Sequence, residues 1–229
     1  ITTSLLNTGL FLSHFRPVLE QGQDLVYVAM ASGISGTYQA ALLAKQELEE
    51  EFPDRCVCII DSKGCGFGNG MLVLRAAELS RQGLSAREAG QILEEEVPHI
   101  CQYFTVNDLN FLKRSGRVSG ATAAIGTVLN IKPILYGSAD GHIVACGKVR
   151  GRKKAIDTLV ETYAKKQVDA ANHLVAISHG DCLEDAQLLA EKVRAVAAPK
   201  DILIVPHEPF SGAHVGPGML ALFFYGSER

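Results

Sequence analysis

The stretch Asp24-Leu25-Val26-Tyr27-Val28-Ala29-Met30-Ala31-Ser32-Gly33-Ile34-Ser35-Gly36-Thr37-Tyr38 decides how this chain is read. Asp24 to Met30 is largely apolar, with β-branched and aromatic residues, which predicts a strand. From Tyr38 to Glu51 the residues Ala40, Ala41, Leu43, Ala44 and Leu48 share one side, with Glu, Gln and Lys opposite, which predicts a helix. Between them, glycines let the backbone turn and approach a ligand closely. Hydroxyls supply donors, and the opening helical turn offers unpaired N–H groups at the positive end of its dipole. A tight turn with Ser35 or Thr37 as N-cap would explain part of this composition. Three hydroxyls and two glycines within Ser32 to Thr37 exceed what a cap needs, and they predict an anion-binding elbow.

Outward from the elbow, strand and helix signals alternate, which predicts an α/β fold. Cys56 to Ile60 reads as a strand covered on both faces. The glycine-rich loop Asp61 to Gly70 follows, then a helix from Met71 to Gln82. Ser85 and Glu88 form a capping box for another helix, which ends before Pro98. Beyond Cys101 the strands lengthen, and Ile131 to Tyr136 and His142 to Val149 flank the turn dipeptide Asp140-Gly141. Helices over Lys153–Lys166 and Leu183–Val196 and strands over His173–Ser178, Ile202–Pro206 and Met219–Tyr225 complete the pattern. Two α/β domains are expected, 1–98 with a mainly parallel sheet and 99–229. The chain enters at Ile1 on Thr2-Thr3-Ser4 and a helix start at Asn7 or Thr8, so the first domain is expected to be N-terminally truncated.

Composition excludes several classes. With 229 residues, a formal net charge of -3 and 47% apolar residues, the chain has core to bury but no electrostatic footprint for nucleic acid. No apolar run reaches the roughly 18 residues of a membrane span. The six cysteines lack C-x-x-C spacing, consistent with reduced thiols in a cytoplasmic protein. The histidines show no metal-ligand spacing, so no metal is expected.

Three further motifs carry candidate chemistry. The Asp61 to Gly70 loop misses the dinucleotide fingerprint, and close strand-to-helix packing explains its glycines better than a site does. Asp108 to Ser119 reads either as a solvated helix end or, with Lys148-Val149-Arg150-Gly151-Arg152-Lys153-Lys154, as a cationic surface for an anionic ligand or partner. Cations at a helix N-terminus oppose the macrodipole, at about 0.3–1 kcal/mol each when exposed, which weighs an anionic ligand or partner evenly against a plain solvated charge run. In Pro209 to Gly218, His214 stands among glycines beside an apolar strand, where a rigid Gly-Pro-Gly frame would fix the direction of its ring.

Taken in order, Thr3-Ser4, Ser32-x-x-Ser35-Gly36-Thr37-Tyr38, Asp61-Ser62, Gly116-Arg117, Leu129-Asn130-Ile131-Lys132-Pro133-Ile134, Lys148-x-Arg150-Gly151 and His214-x-Gly216-Pro217-Gly218 resemble the DegV family across the whole chain. The resemblance implies a bacterial fatty-acid-binding protein of two α/β domains with the acyl chain buried between them. Several members present the acyl group to a separate ATP-binding fatty acid kinase subunit, which converts the bound carboxylate to an acyl phosphate for phospholipid synthesis. By resemblance, Thr3, Ser35, Gly36 and His214 hold the carboxylate, and Arg117, Arg150 and Lys153 serve the kinase contact or phosphoryl transfer. The implied ligand is a long-chain fatty acid, with no cofactor and no catalytic activity by this chain alone. The chain departs from the family at Leu5-Leu6, where Gln-Pro is usual, and at Ser115, where a glycine is common.

Two rival readings stay in view. A serine hydrolase would use Ser35 as nucleophile and His214 as base, but Thr37 replaces the final glycine of the nucleophile elbow G-x-S-x-G. A phosphate-binding module would use the same elbow, yet the lysine and Mg²⁺ ligands such sites add are missing.

Overall fold

The structure, a computed structural model, describes residues 2–118 and 130–229. Ile1, Ser119 of the Asp108 to Ser119 motif and Leu129 of the Leu129 to Ile134 motif lie outside the described residues.

The first half runs α1 (Thr8–Glu20), β1 (Leu25–Ala29), α2 (Thr37–Glu51), β2 (Val57–Asp61), α3 (Phe67–Arg81) and α4 (Ala86–Glu96). The second runs β3 (Ile100–Thr105), α5 (Asn110–Ser115), β4 (Ile131–Gly137), β5 (Ile143–Arg150), α6 (Arg152–Lys166), β6 (Leu174–His179), α7 (Leu183–Val196), β7 (Asp201–Pro206), α8 (Pro209–Val215) and β8 (Leu220–Tyr225). Strands β1 and β2 pair in parallel, while the other described strands form a six-stranded sheet in the order β5-β4-β3-β8-β6-β7. In the larger sheet only β6 and β7 pair in parallel; the remaining neighbours are antiparallel. The α/β class of the sequence reading holds, with the parallel arrangement concentrated around the elbow.

Three apolar layers hold these elements. Phe11, Phe15 and Leu19 of α1 and Ala41, Ala44 and Leu48 of α2 pack on Val57 and Ile59. Ile60, Leu72, Leu79 and Leu93 meet Ile100, Leu135 and Phe223, so the inner face of the large sheet closes on α3 and α4. On the outer face, Ile156, Leu159 and Tyr163 of α6 and Leu189 and Val193 of α7 cover Val175, Ile177 and Phe224. Each such side chain contributes about 1.5–3 kcal/mol by leaving water. The one polar atom of Tyr163 is satisfied, its hydroxyl donating to the Ala197 carbonyl at 2.8 Å.

Local signals explain most boundaries. Asn7 caps α1, its side chain accepting from Leu10 N, and Ser85 with Glu88 closes the expected capping box on α4. Gly116, at φ 68, ends α5 in the left-handed conformation. Three readings need correction. Neither Ser35 nor Thr37 caps α2; Gly36 occupies that position, and Ser35 Oγ instead receives the Thr37 N–H at 3.2 Å and donates to Thr37 Oγ1 at 2.9 Å. Helix α3 begins at Phe67 rather than Met71, so Gly68 and Gly70 are helical. His214 sits in the last turn of a short helix, not in a loop.

Candidate functional site

The elbow after β1 and the helix α8 face each other across a cavity of about 860 Å³. Tyr27, Val28, Met30, Leu112, Val215 and Phe223 give it an apolar wall, and Ser35, Gly36, Thr3, His214 and Arg117 line it as well. The elbow and α8 are each held in place locally. β1 runs into the elbow, and the elbow is pinned where Ala31 N donates to Gly64 O at 2.8 Å and Ser32 N to Asp61 Oδ1 at 3.2 Å. Pro209 at the start of α8 supplies a fixed φ, and Gly216 ends that helix at φ 74. Gly218 is required because a Cβ there would lie 1.8 Å from Asn107 Nδ2.

The polar end of the cavity has a defined geometry. Thr3 Oγ1 and His214 Nε2 lie 2.8 Å apart, so the N-terminal segment and α8 meet at the elbow. Burial lowers the His214 pKa, and the positive charge of Arg117 lowers it further, so both disfavour the imidazolium. Lys63 Nζ bridges Asp61 Oδ2 at 2.7 Å and Ser32 Oγ at 3.2 Å. Burial pushes the Asp61 carboxyl up, but hydrogen bonds from Lys63 and Ser32 outweigh it and hold the group below its ordinary value. The arrangement offers hydroxyl donors, an imidazole and helix N–H groups along one cavity with an apolar wall.

The structure therefore brings Thr3, Ser35, Gly36, His214 and Arg117 to one cavity. It does not bring Arg150 or Lys153 there. Arg150 ends β5 opposite Ile131, and Lys153 lies exposed in the first turn of α6. Arg152 pairs with Asp185 at 2.8 Å and Lys154 with Glu161 at 3.0 Å, whereas Lys148, Arg150 and Lys153 have no ion pair among the described residues. Ser35 bonds Thr37 and His214 bonds Thr3, so the described residues contain no Ser35–His214 hydrogen bond of the kind a hydrolase needs. No group of three or more His, Cys, Asp or Glu placed to hold a metal occurs among the described residues, nor does any helix there have the length and apolarity to cross a membrane.

Sequence reasoning missed a polar part of the wall. His207 Nε2 lies 2.7 Å from Ser211 Oγ and its Nδ1 lies 3.1 Å from Ser178 Oγ, with Ser211 also bonded to Glu208. Burial lowers the His207 pKa, opposed by the charge of Glu208. The available signal was Pro206-His207-Glu208-Pro209, polar residues held between prolines at the end of an apolar strand.

The family profile described as uncharacterised protein, DegV family, matches residues 1–227. A DegV domain-containing protein of Clostridium perfringens is 40% identical over 228 residues, spanning 100% of this chain and 78% of its own length. A fatty-acid-binding DegV family protein of Thermus thermophilus has a TM-score of 0.86 at 32% identity, over 98% of this chain and 79% of that one. The fatty acid kinase B3 protein of Streptococcus pneumoniae, solved loaded with linoleic acid, has a TM-score of 0.87 over 98% of this chain and 78% of that one; at 23% identity the likeness is one of fold.

Proposed function

Because the chain belongs to the DegV family, we propose that it binds a long-chain fatty acid and presents its carboxylate to a fatty acid kinase subunit. Thr3, Ser35, Gly36 and His214 hold the carboxylate, and the acyl chain lies in the apolar cavity. The observation that carries this reading is the convergence of the elbow with the Thr3–His214 pair at the polar end of that one cavity. A dozen buried methylenes supply roughly 10 kcal/mol before ordering costs, so a small polar clamp is enough to fix the head group. Arg117, Arg150 and Lys153 face the kinase or the transferred phosphoryl group, which accounts for exposed cations at the unfavourable end of α6. On this reading the chain carries out no catalysis alone, uses no cofactor and works in the cytoplasm. A division near Pro98 separates its two α/β domains.

Denaturing extraction of the purified protein followed by mass spectrometry tests the ligand. Co-purifying long-chain fatty acid, rebinding to delipidated protein, is the expected result. Absence of any fatty acid, together with ester hydrolysis abolished by Ser35→Ala, would overturn it in favour of a hydrolase. For the partner surface, Arg150→Ala is expected to reduce acyl phosphate formation with an added kinase subunit more than it reduces fatty-acid affinity. Loss of lipid binding in a folded Arg150→Ala protein would contradict that assignment.

A further inference from the structure

The glycine loop Asp61 to Gly70 has no part in the carboxylate clamp, yet it shapes a polar spot on the cavity wall. A Cβ at Gly64 would collide with Gln102 Nε2, and one at Gly68 would lie 2.6 Å from Gln102 Oε1. At Gly66 it would lie 3.2 Å from His207 Cε1 and 3.3 Å from Glu208 Oε1. The loop thus makes room for two polar groups, and Cys65 touches both. Its N–H donates to Gln102 Oε1 at 3.1 Å, and its thiol, kept protonated by burial that pushes the pKa up to about 12, lies beside Ser211. Gln102 stands on the inner face of the large sheet, with Ile100 and Phe104 on the same side of β3 and Phe223 opposite on β8. Gln102, Cys65, His207 and Ser211 all line the cavity.

Two hydrogen-bonding capacities there are left over. The Cys65 N–H fixes Oε1 as the acceptor, so Nε2 is the other end of the Gln102 amide; it is buried and has no partner among the described residues. The whole residue is only 6% exposed. Ser211 gives its one proton to Glu208, so His207 Nε2 donates to Ser211 Oγ and His207 Nδ1 accepts from the Ser178 hydroxyl. Ser211 Oγ keeps one further lone pair, shared at most with the weak thiol donor of Cys65.

We propose that this spot is a subsite for a hydroxyl carried on the acyl chain, its oxygen accepting from Gln102 Nε2 and its proton going to Ser211 Oγ. This rests on the fatty-acid reading above. The spot suits a neutral group better than a carboxylate, because Glu208 stands against Ser211 and would repel an anion. Ser211 precedes His214 by one turn of α8, about 5–6 Å between Cβ atoms, which puts the hydroxyl within the first few carbons after the head group. The ligand class is therefore a hydroxy fatty acid substituted near its carboxyl end. Against a wholly apolar wall such a hydroxyl would be buried without a partner; here it satisfies two groups that otherwise lack one.

The test measures the affinity of delipidated protein for a saturated fatty acid and for a series of its mono-hydroxylated isomers, the hydroxyl moved stepwise along the chain. An isomer hydroxylated near the carboxyl end is expected to bind at least as tightly as the parent acid, and isomers hydroxylated towards the methyl end tenfold or more weakly. Gln102→Met, which keeps the bulk of the side chain, is expected to weaken the favoured isomer tenfold or more and to leave the parent acid unchanged or tighter. Ser211→Ala, which removes only a hydroxyl, should act in the same direction, and retained parent-acid affinity in either variant certifies the fold. Rejection of every hydroxylated isomer by the unaltered protein would overturn the subsite and leave the fatty-acid reading standing. Equal losses for parent and hydroxylated acids in both variants would also overturn it, assigning Gln102 and Ser211 to the clamp or to the fold. Failure of the unaltered protein to bind any of these ligands would overturn the fatty-acid reading and this one with it.

Discussion

At the scale of single residues, the site contains a histidine whose surroundings disfavour its protonation. Burial and Arg117 both lower the His214 pKa, and no carboxylate is bonded to the ring among the described residues. An anionic head group placed beside it would reverse that balance by favouring the imidazolium. NMR titration of the His214 ring is therefore expected to show a pKa below the ordinary histidine value without ligand and a raised one with fatty acid; an unchanged value would remove His214 from the carboxylate site. His214→Ala should leave acyl binding measurable and cost about 1.5–3 kcal/mol, the usual worth of a hydrogen bond to a charged group, read from equilibrium titrations. His207 gives a stability prediction of definite sign. Its folded pKa lies below the ordinary value because of burial, so the unfolded chain takes up its proton first as pH falls. The stability it contributes is present above the ordinary histidine pKa and is lost as pH drops through that value towards the folded one. Denaturant titrations at pH 7.5 and about 5.5 should show that loss, and it should shrink in His207→Gln.

At the scale of elements, the close packing of α4 on β2 is a strong constraint. A Cβ at Gly90 would stand 2.9 Å from Cys58 Sγ, so the helix reaches the strand only because residue 90 lacks a side chain. Gly90→Ala should gain up to about 1 kcal/mol in helix propensity but lose about 1–3 kcal/mol to overpacking. Cys58→Ala in the same chain removes the nearer atom and leaves a Cβ contact of 3.2 Å, so it should restore part of the stability, a coupling that a double-mutant cycle by denaturant unfolding would measure. The same physics marks where sequence reading succeeds. Capping residues announce themselves locally, so Asn7, Ser85 and Glu88 are legible, as is the hairpin around Asp140-Gly141. Helix α3 was placed late because Gly64, Gly66, Gly68 and Gly70 read as a loop. Their cause is distant: a Cβ at Gly68 would lie 2.6 Å from the Gln102 side chain of β3. β3 itself is hard to read from the sequence, since Gln102 interrupts its apolar run and Pro98 stands just before it. Of the site, the elbow and His214 were visible as local oddities, whereas Thr3 had no physical signal and came only from family resemblance. Its partner is 211 positions away along the chain.

At the scale of the molecule, the cavity lies between elements from both sides of Pro98, and so does the core. Ile60, Leu72 and Leu93 share a cluster with Ile100, Leu135 and Phe223. Arg229 adds a polar tie, donating to the carbonyls of Ser62 and Lys63 in the elbow region and to Ile100 on β3; burial pulls its pKa down to about 10. The segments on either side of Pro98, joined this way, should not melt independently, because unfolding either one exposes the apolar surface it shares with the other. A single cooperative transition is expected, seen alike by far-UV circular dichroism and tyrosine fluorescence. A fatty acid bound in the cavity as proposed would stabilise both segments together, since residues of both line it. Fatty acid at one hundred times its Kd should add about 2.7 kcal/mol, which for a chain of this size raises Tm by roughly 5–11 °C. Two separated transitions, with only one moved by fatty acid, would place the ligand within one half and contradict a site formed between elbow and α8.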